Sequence, residues 1–182
     1  MRVLTSSGNV LFDGPTSELP GKDLSYGIFR LAVLDQLSLA RTNLTGADLT
    51  SASLDDTDLT AAVLNDAILE GAICMGARFD NAMMQNAQMY WAVCFTASFQ
   101  RADLRGADLR GADLKEANLS HARLEGANFG RSNIGGAAQL QGAMLEGASL
   151  DRAILVDAEY DERTCFPNAF DPRAHLMRYI AD

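Results

Sequence analysis

Histidine, proline, cysteine and aromatic side chains are all scarce: the 182 residues hold two, four, three and 7% of them respectively. Each scarcity excludes something. His121 and His175 lie far apart in the chain, and both read as surface residues rather than as a base or a metal ligand. Three cysteines are too few for the disulfide framework of a small secreted domain. No apolar run approaches the roughly twenty residues that cross a bilayer. The start Met1-Arg2-Val3-Leu4 has no signal-peptide pattern. A cytoplasmic protein without a membrane anchor is therefore expected. No CxxC, HExxH, GxSxG or glycine-rich phosphate loop occurs. We expect no catalytic residue, no cofactor and no metal, and hence no enzyme. Positive charge is also short, with 15 Lys and Arg against 24 Asp and Glu, a net charge of −9 and a pI near 4.6. Arg105, Arg110 and Lys115 alternate with Asp103, Asp108 and Asp113, a mixed-sign surface rather than a phosphate track, so direct nucleic-acid binding is not expected.

What the chain has instead is a five-residue period. A large residue recurs from Leu39 through Leu44, Leu49, Leu54, Leu59, Leu64, Leu69, Cys74, Phe79, Met84, Met89, Cys94 and Phe99 to Leu104, Leu109, Leu114, Leu119, Leu124, Phe129 and Ile134. After one extra residue near Gly135-Gly136 the series resumes at Leu140, Leu145, Leu150, Leu155, Tyr160 and Cys165. We call these the centres. Two positions before most of them stands Ala, with Thr42, Thr57 and Ser132 as small substitutes. Five matches neither the 3.6 of a helix nor the 2 of a strand, so each unit is one copy of a stacked solenoid element. One large and one tiny inward residue per unit describe a narrow, filled tube. Such a tube has no ligand-sized interior. The remaining positions carry Asp, Asn, Arg, Thr, Ser, Gln and Gly, as a solvated surface with tight turns requires.

The motif, plain in ADLRGADLRGADLKEANL at 102–119, resembles that of the pentapeptide-repeat family, Ala-(Asp/Asn)-Leu-X-X, over roughly residues 37–165. The resemblance implies an all-β solenoid: a right-handed quadrilateral β-helix with four pentapeptides per twenty-residue coil. Stacking at twenty also places Cys74 under Cys94 and Phe79 under Phe99, where stacking at fifteen would mix unlike residues. At about 4.8 Å per coil the rod is roughly 30 Å long. Cys74, Cys94 and Cys165, all centres, are expected to face the axis as reduced thiols.

The ends require caps. Residues 1–36 form the N-terminal one: a hairpin over 2–13 around Ser6-Ser7-Gly8, then 23–36 as either a capping helix started by Asp23 or three degenerate repeats centred on Leu24, Phe29 and Leu34. Residues 37–165 form the repeat body and 166–182 the C-terminal cap. There TCFPNAFDP (164–172) breaks the period and puts Phe166 and Phe170 over the last coil. Pro172 begins a short helix to about Ala181, whose Leu176, Met177 and Ile180 either pack on the rod or make a dimer contact.

Function is less legible. Gyrase-protecting members of the family are acidic dimeric rods that imitate duplex DNA. A continuous acidic column is what that mimicry needs. The columns instead run Asp48, Ile68, Gln88, Asp108, Asn128 and Asp58, Arg78, Ser98, Asn118. The informative signal is an outward face that is apolar in midrod: Ile73 and Val93 before two centres, Met75 and Phe95 after them, with Tyr90 and Trp91 at the neighbouring corner. Either another part of the chain covers these residues or they form a protein-interaction face for a partner or a second copy. A non-enzymatic scaffold for protein–protein interaction is the leading expectation. A DNA-mimicking regulator of DNA gyrase or another type II topoisomerase is the alternative.

Overall fold

The computed structural model describes residues 1–5, 8–133 and 135–181; Ser6, Ser7 of the expected hairpin turn, the expected centre Ile134 and Asp182 lie outside the described residues. From Asp23 to Asp108 isolated parallel bridges link each residue before a centre to the residue twenty further on: Asn43 to Val63, Val63 to Met83, Met83 to Asp103. One turn of the solenoid therefore consumes twenty residues. From Leu39 to Phe129 the centres are buried, as are the small residues two before them from Thr42 on, while Leu150 and Ala153 nearer the C-terminal end are half-buried. Phe79 stacks on Phe99 at 4.8 Å between ring centroids with an interplanar angle of 2°. That is one coil spacing.

Backbone polar groups must be paired, and the repeat pairs them in a fixed way. The residue before the centre donates its amide to the coil behind (Val63 N to Thr42 O, 3.0 Å), and the centre donates to the coil ahead (Leu64 N to Met83 O, 2.6 Å). The alanine of the next unit closes on its own coil (Ala67 N to Leu64 O, 3.1 Å), and the corner residue reaches forward (Asp66 N to Gln85 O, 2.9 Å). The amide just after the centre is left over. An Asp or Asn before the centre takes it: Asp48 Oδ1 accepts from Thr50 N, Asp113 Oδ1 from Lys115 N and Asn118 Oδ1 from Ser120 N, at 3.0–3.1 Å. Elsewhere an Asp or Asn one coil back does the same work, as Asn65 Oδ1 does for Gln85 N at 2.9 Å. This is the physical content of the Asp/Asn position, which composition alone reads merely as solvated. At the small inward position, Thr42 and Thr57 donate their hydroxyls to Leu19 O and Leu34 O of the preceding coil at 3.2 and 2.8 Å.

Neither expected capping helix forms. Residues 23–36 repeat the geometry of the body: Asp23, Ile28 and Val33 bridge to Asn43, Asp48 and Ser53, and Leu24, Phe29 and Leu34 are buried. A ladder partner twenty residues away outweighs the local helical spacing of four apolar side chains. Strands β1 (Arg2–Thr5) and β2 (Val10–Asp13) pair antiparallel, and β1 also pairs antiparallel with β3 (Gly27–Ile28) on the edge of the first coil. A single 3-10 turn, Thr16–Glu18, leads into that coil. At the other end β4 (Glu159–Tyr160) pairs parallel with β5 (Arg178–Tyr179). The turns after Pro172 end at Leu176, whose φ is +57°, and the chain re-enters the ladder through Asp157 N to Leu176 O at 3.0 Å. Met177 is buried, Leu176 exposed and Ile180 half-buried, so the three do not share a helix face.

Two further expectations are corrected. The insertion is not a single residue at a corner. Asp113, Asn118, Arg123 and Asn128 bridge to Gln139, Met144, Ser149 and Ile154, twenty-six residues on, so six residues leave the coil. Ala138 donates to Phe129 O at 2.9 Å and takes the place Ser132 would hold. A second insertion of one residue follows, since Met144 bridges to Cys165, twenty-one residues on. Cys165 consequently sits before a centre and is exposed, while Cys74 and Cys94 are buried as free thiols. The hydrogen bond with the neighbouring Cys94 thiol, followed by burial, holds the Cys74 thiol well above the usual range.

From Tyr26 to Gly126 the residue two past each centre turns its corner in the left-handed region: Ala61 at φ +56°, Trp91 at +56°, Arg101 at +57°. A side chain there costs about 1–2 kcal/mol relative to the right-handed region, a penalty glycine escapes. Replacing the exposed Ala61 by Gly is expected to stabilise the protein by about 0.5–1 kcal/mol, raising the melting temperature by roughly 2 °C by calorimetry; an unchanged or lower value contradicts this account of the corners.

Candidate functional site

The apolar residues of the expected patch divide between two places. Ile73 bridges to Val93, and Met75 sits one coil behind Phe95 on the same face. Ile73, Met75 and Phe95 are 39%, 42% and 37% exposed, and Val93 is half-buried. One coil earlier the same two columns carry Ser53 and Asp55; one coil later they carry Asp113 and Lys115. The amides on this face lack their usual acceptors, because Ile73 and Val93 replace Asp or Asn. Asp55 Oδ1 compensates at Met75 N, 3.0 Å, and Asp35 Oδ1 at Asp55 N, 3.1 Å. Phe95 has neither an Asx residue two before it nor one in the coil behind. Met83, 44% exposed, is a further outward apolar residue, two pentapeptides further along the coil.

Tyr90 and Trp91 lie around the corner and are covered from within the chain. Gly135, among the extruded residues, lies on the Trp91 ring so closely that a Cβ there would collide with Cζ2 and Cη2. The ring also covers Gly111, one coil later. Gly135 is thus required by close approach, not by a kink. The indole Nε1 is buried without a partner, as is the Ser132 hydroxyl. Tyr90 meets Trp91 edge-on at 5.9 Å, and the Arg110 guanidinium lies 5.5 Å from the Tyr90 ring centre. Glu70, Gln88, Tyr90, Asp108, Arg110 and Asn133 line a polar cleft of about 190 Å³ beside the segment. No sequence signal separates Trp91 from Phe95; only the twenty-six-residue register brings 135 to 91.

Elsewhere part of the surface charge is paired. Arg105 binds Asp103 at 2.7 Å, Arg110 binds Asp108 at 2.6 Å and Lys115 binds Asp113 at 3.1 Å. Hydrogen bonds from Arg105, outweighing burial, hold the Asp103 carboxyl below the usual carboxylate range. The two acidic-column readings hold in space: Asp48, Ile68, Gln88, Asp108 and Asn128 are consecutive rungs, as are Asp58, Arg78, Ser98 and Asn118. No group of three His, Cys, Asp or Glu that could hold a metal ion occurs among the described residues, and no helix among them is long and apolar enough to cross a membrane.

At the C-terminal end, sequence reasoning missed Asp161. It occupies the second insertion, where the backbone ladder slips, and is buried. Its Oδ1 accepts from Gly142 N at 2.8 Å, a bond that a main-chain carbonyl makes in other coils, and from Arg163 N and Thr164 Oγ1 at 3.1 and 3.0 Å. Burial would raise its pKa, but these bonds and the Arg163 guanidinium at 2.7 Å hold it below the ordinary value of 3.8. Phe166 takes the plugging role beside Tyr160 and Phe170, at 5.5 and 5.1 Å. A second cavity of about 520 Å³ opens here over Leu150, between Arg152, Phe170 and His175.

A filled β-solenoid with twenty-residue coils defines a repeat protein. The family model described as Pentapeptide repeats matches residues 28–66, 57–93 and 97–136, with 8 copies. The chain belongs to the pentapeptide-repeat family, and its solenoid is accordingly a right-handed β-helix. It is 33% identical to HetL, a pentapeptide repeat protein involved in heterocyst differentiation regulation from the cyanobacterium Nostoc sp. strain PCC 7120, over 88% of this chain and 81% of that one, with a TM-score of 0.41. To full-length QnrB1, a plasmid-mediated fluoroquinolone resistance protein, it is 14% identical over 92% and 88% of the two chains, with a TM-score of 0.52, which is a likeness of fold. No curated protein sequence matches it.

Two measurements follow from this geometry. Trp91→Ala removes the ring on which Gly135 rests, so tryptic cleavage after the exposed Arg131 should accelerate on the order of tenfold; an unchanged rate refutes the clamp. The lowered pKa of Asp161 contributes stability that is whole above the unfolded-state value of 3.8 and is lost as pH falls through the lower folded-state value. Between pH 6 and pH 2.5 (roughly, the window of carboxylate titration) Asp161→Asn should therefore lose less melting temperature than the wild type; parallel melting curves contradict the assignment.

Proposed function

We propose that this protein is a non-enzymatic scaffold that engages protein through one side of its rod. The observation that carries the reading is the apolar block of Ile73, Met75, Val93 and Phe95. Outward positions of a solenoid tolerate any polar residue, and these columns are polar immediately before and after the block. Contiguous exposed apolar surface in midrod favours association. We read each coil as quadrilateral, four pentapeptides to twenty residues, which makes this face flat and one side wide. Tyr90 and Trp91 support the face by holding the neighbouring corner rather than by contact. At the C-terminal end Met177 serves as cap, leaving Leu176 and Ile180 for a subsidiary end contact. We place the protein in the cytoplasm, where the stacked Cys74 and Cys94 thiols stay reduced.

The gyrase reading receives no comparable support. Many acids of the body, among them Asp48, Asp58, Asp103, Asp108 and Asp113, are paired with Arg or Lys, and the bridged columns of Asp48 and Asp58 are interrupted by Ile, Gln, Ser or Arg. Mimicry of a phosphate backbone needs repeated unpaired negative charge. The test of the scaffold reading is affinity capture from native lysate with wild type, with Met75→Ser/Phe95→Ser, and with Ile28→Ser as an off-face control. Loss of a specific bound protein, about tenfold or more, is expected only for the double variant. Identical capture by all three removes the reading.

A further inference from the structure

We infer that the apolar face pairs with a second copy of the same face, the two rods running antiparallel. The inference rests on the scaffold reading and names the occupant of its surface. What points to self-pairing is the order of side chains along the bridged columns. In the column after the centres the sequence of coils is Asp35, Asp55, Met75, Phe95, Lys115 and Gln141; in the column before them it is Val33, Ser53, Ile73, Val93, Asp113 and Gln139. The apolar block occupies two adjacent coils. Asp55 lies one coil before it and Lys115 one coil after it.

A two-fold axis in the plane of the face, perpendicular to the rod and midway between the Met75 and Phe95 coils, exchanges those levels. It sets Met75 against the second copy's Phe95, Ile73 against Val93, and Asp55 against Lys115 twice over. Ser53 meets Asp113 as a hydrogen-bond donor to a carboxylate, and Asp35 meets Gln141. A face that is complementary to itself under a two-fold rotation is what a closed dimer requires. A two-fold axis along the rod would instead keep the levels and exchange the columns, setting Asp55 against Ser53 and Lys115 against an Asp113 that already binds the lysine of its own chain, so Asp55 gains no cation there. In the antiparallel pair one like-charge meeting remains, Asp56 near Glu116 at the corner. Arg163, 3.7 Å from Glu116, offsets it. Lys115 keeps its ammonium on the face, 37% exposed and held at 3.1 Å by Asp113. One flat side of a thin rod is a small interface, so the association is weak and concentration-dependent.

Charge exchange tests the geometry directly. By sedimentation equilibrium over roughly 1–500 µM protein, the range suited to a small interface, the wild type should dimerise. Asp55→Lys and Lys115→Asp should each weaken the dimer about tenfold, because each sets like charges against each other at two places. An equimolar mixture of the two variants should recover affinity to within about threefold of wild type, since both contacts are then of opposite sign. The mixture also controls for folding, as a misfolded variant cannot be rescued by its counterpart. A wild type that stays monomeric throughout overturns self-pairing, while the lysate capture above separately decides the scaffold reading. A dimer indifferent to both substitutions, or a mixture that does not recover, places the contact elsewhere and overturns it equally.

Discussion

The bond from each centre's amide to the carbonyl nineteen residues ahead fixes almost everything else. It holds the coils one strand spacing apart, which forces like positions into columns and leaves room inside for one large and one small side chain per unit. Phe79 on Phe99 shows the consequence at its plainest, with two rings separated by the distance between neighbouring backbones. Because the ladder runs through every unit, the interior has no freedom to form a site. Any specificity must be written on the outside, on residues that do not determine the fold.

The outside is not wholly unconstrained either. Four of the five amides in a unit are paired by main chain, and the fifth depends on an Asp or Asn carried at one of two places. That dependence explains why much of the acidic charge is structural. Asp48, Asp103, Asp108 and Asp113 close their own turns and mostly hold a basic side chain as well, so a net charge of −9 does not translate into an anionic track. Reading function from net charge alone would misassign carboxylates that are already occupied.

The twenty-residue stacking was legible in the sequence because the period and the like-on-like columns report the same geometry twice. The departures were legible only as phase, and phase hides length. A one-residue shift between Ile134 and Leu140 is equally the mark of a single insertion or of a unit plus one residue expelled from the coil, and only the Asp113–Gln139 bridge distinguishes them. At the second slip the count even continued to Cys165, while the ladder took Phe166 as the next centre and recruited Asp161 to receive the displaced Gly142 amide. Residues 23–36 misled in the opposite sense: Leu24, Ile28, Leu31 and Ala32 fit a helix locally, yet the neighbouring coil offered partners for the backbone. The patch residues themselves were found from the columns, and what the columns could not supply was which of them the extruded segment would cover.

The block at Ile73, Met75, Val93 and Phe95 is therefore unusual on two counts at once. It places apolar side chains outside, and it gives up the carboxamide or carboxylate that would close the following amide. Asp55 repairs the loss at Met75 from one coil behind, but Met75 cannot do so for Phe95, since it stands where an Asp or Asn would be needed. Solvent readily satisfies an amide on an open face. A covering surface must either leave a water there or bring an acceptor of its own, so the centre of any contact on this face is apolar at the side chains and wet at the backbone. Exposed repeat positions carry any polar residue without cost to the ladder. Retaining four apolar ones together, at the expense of that closure, is a feature the ladder itself does not require.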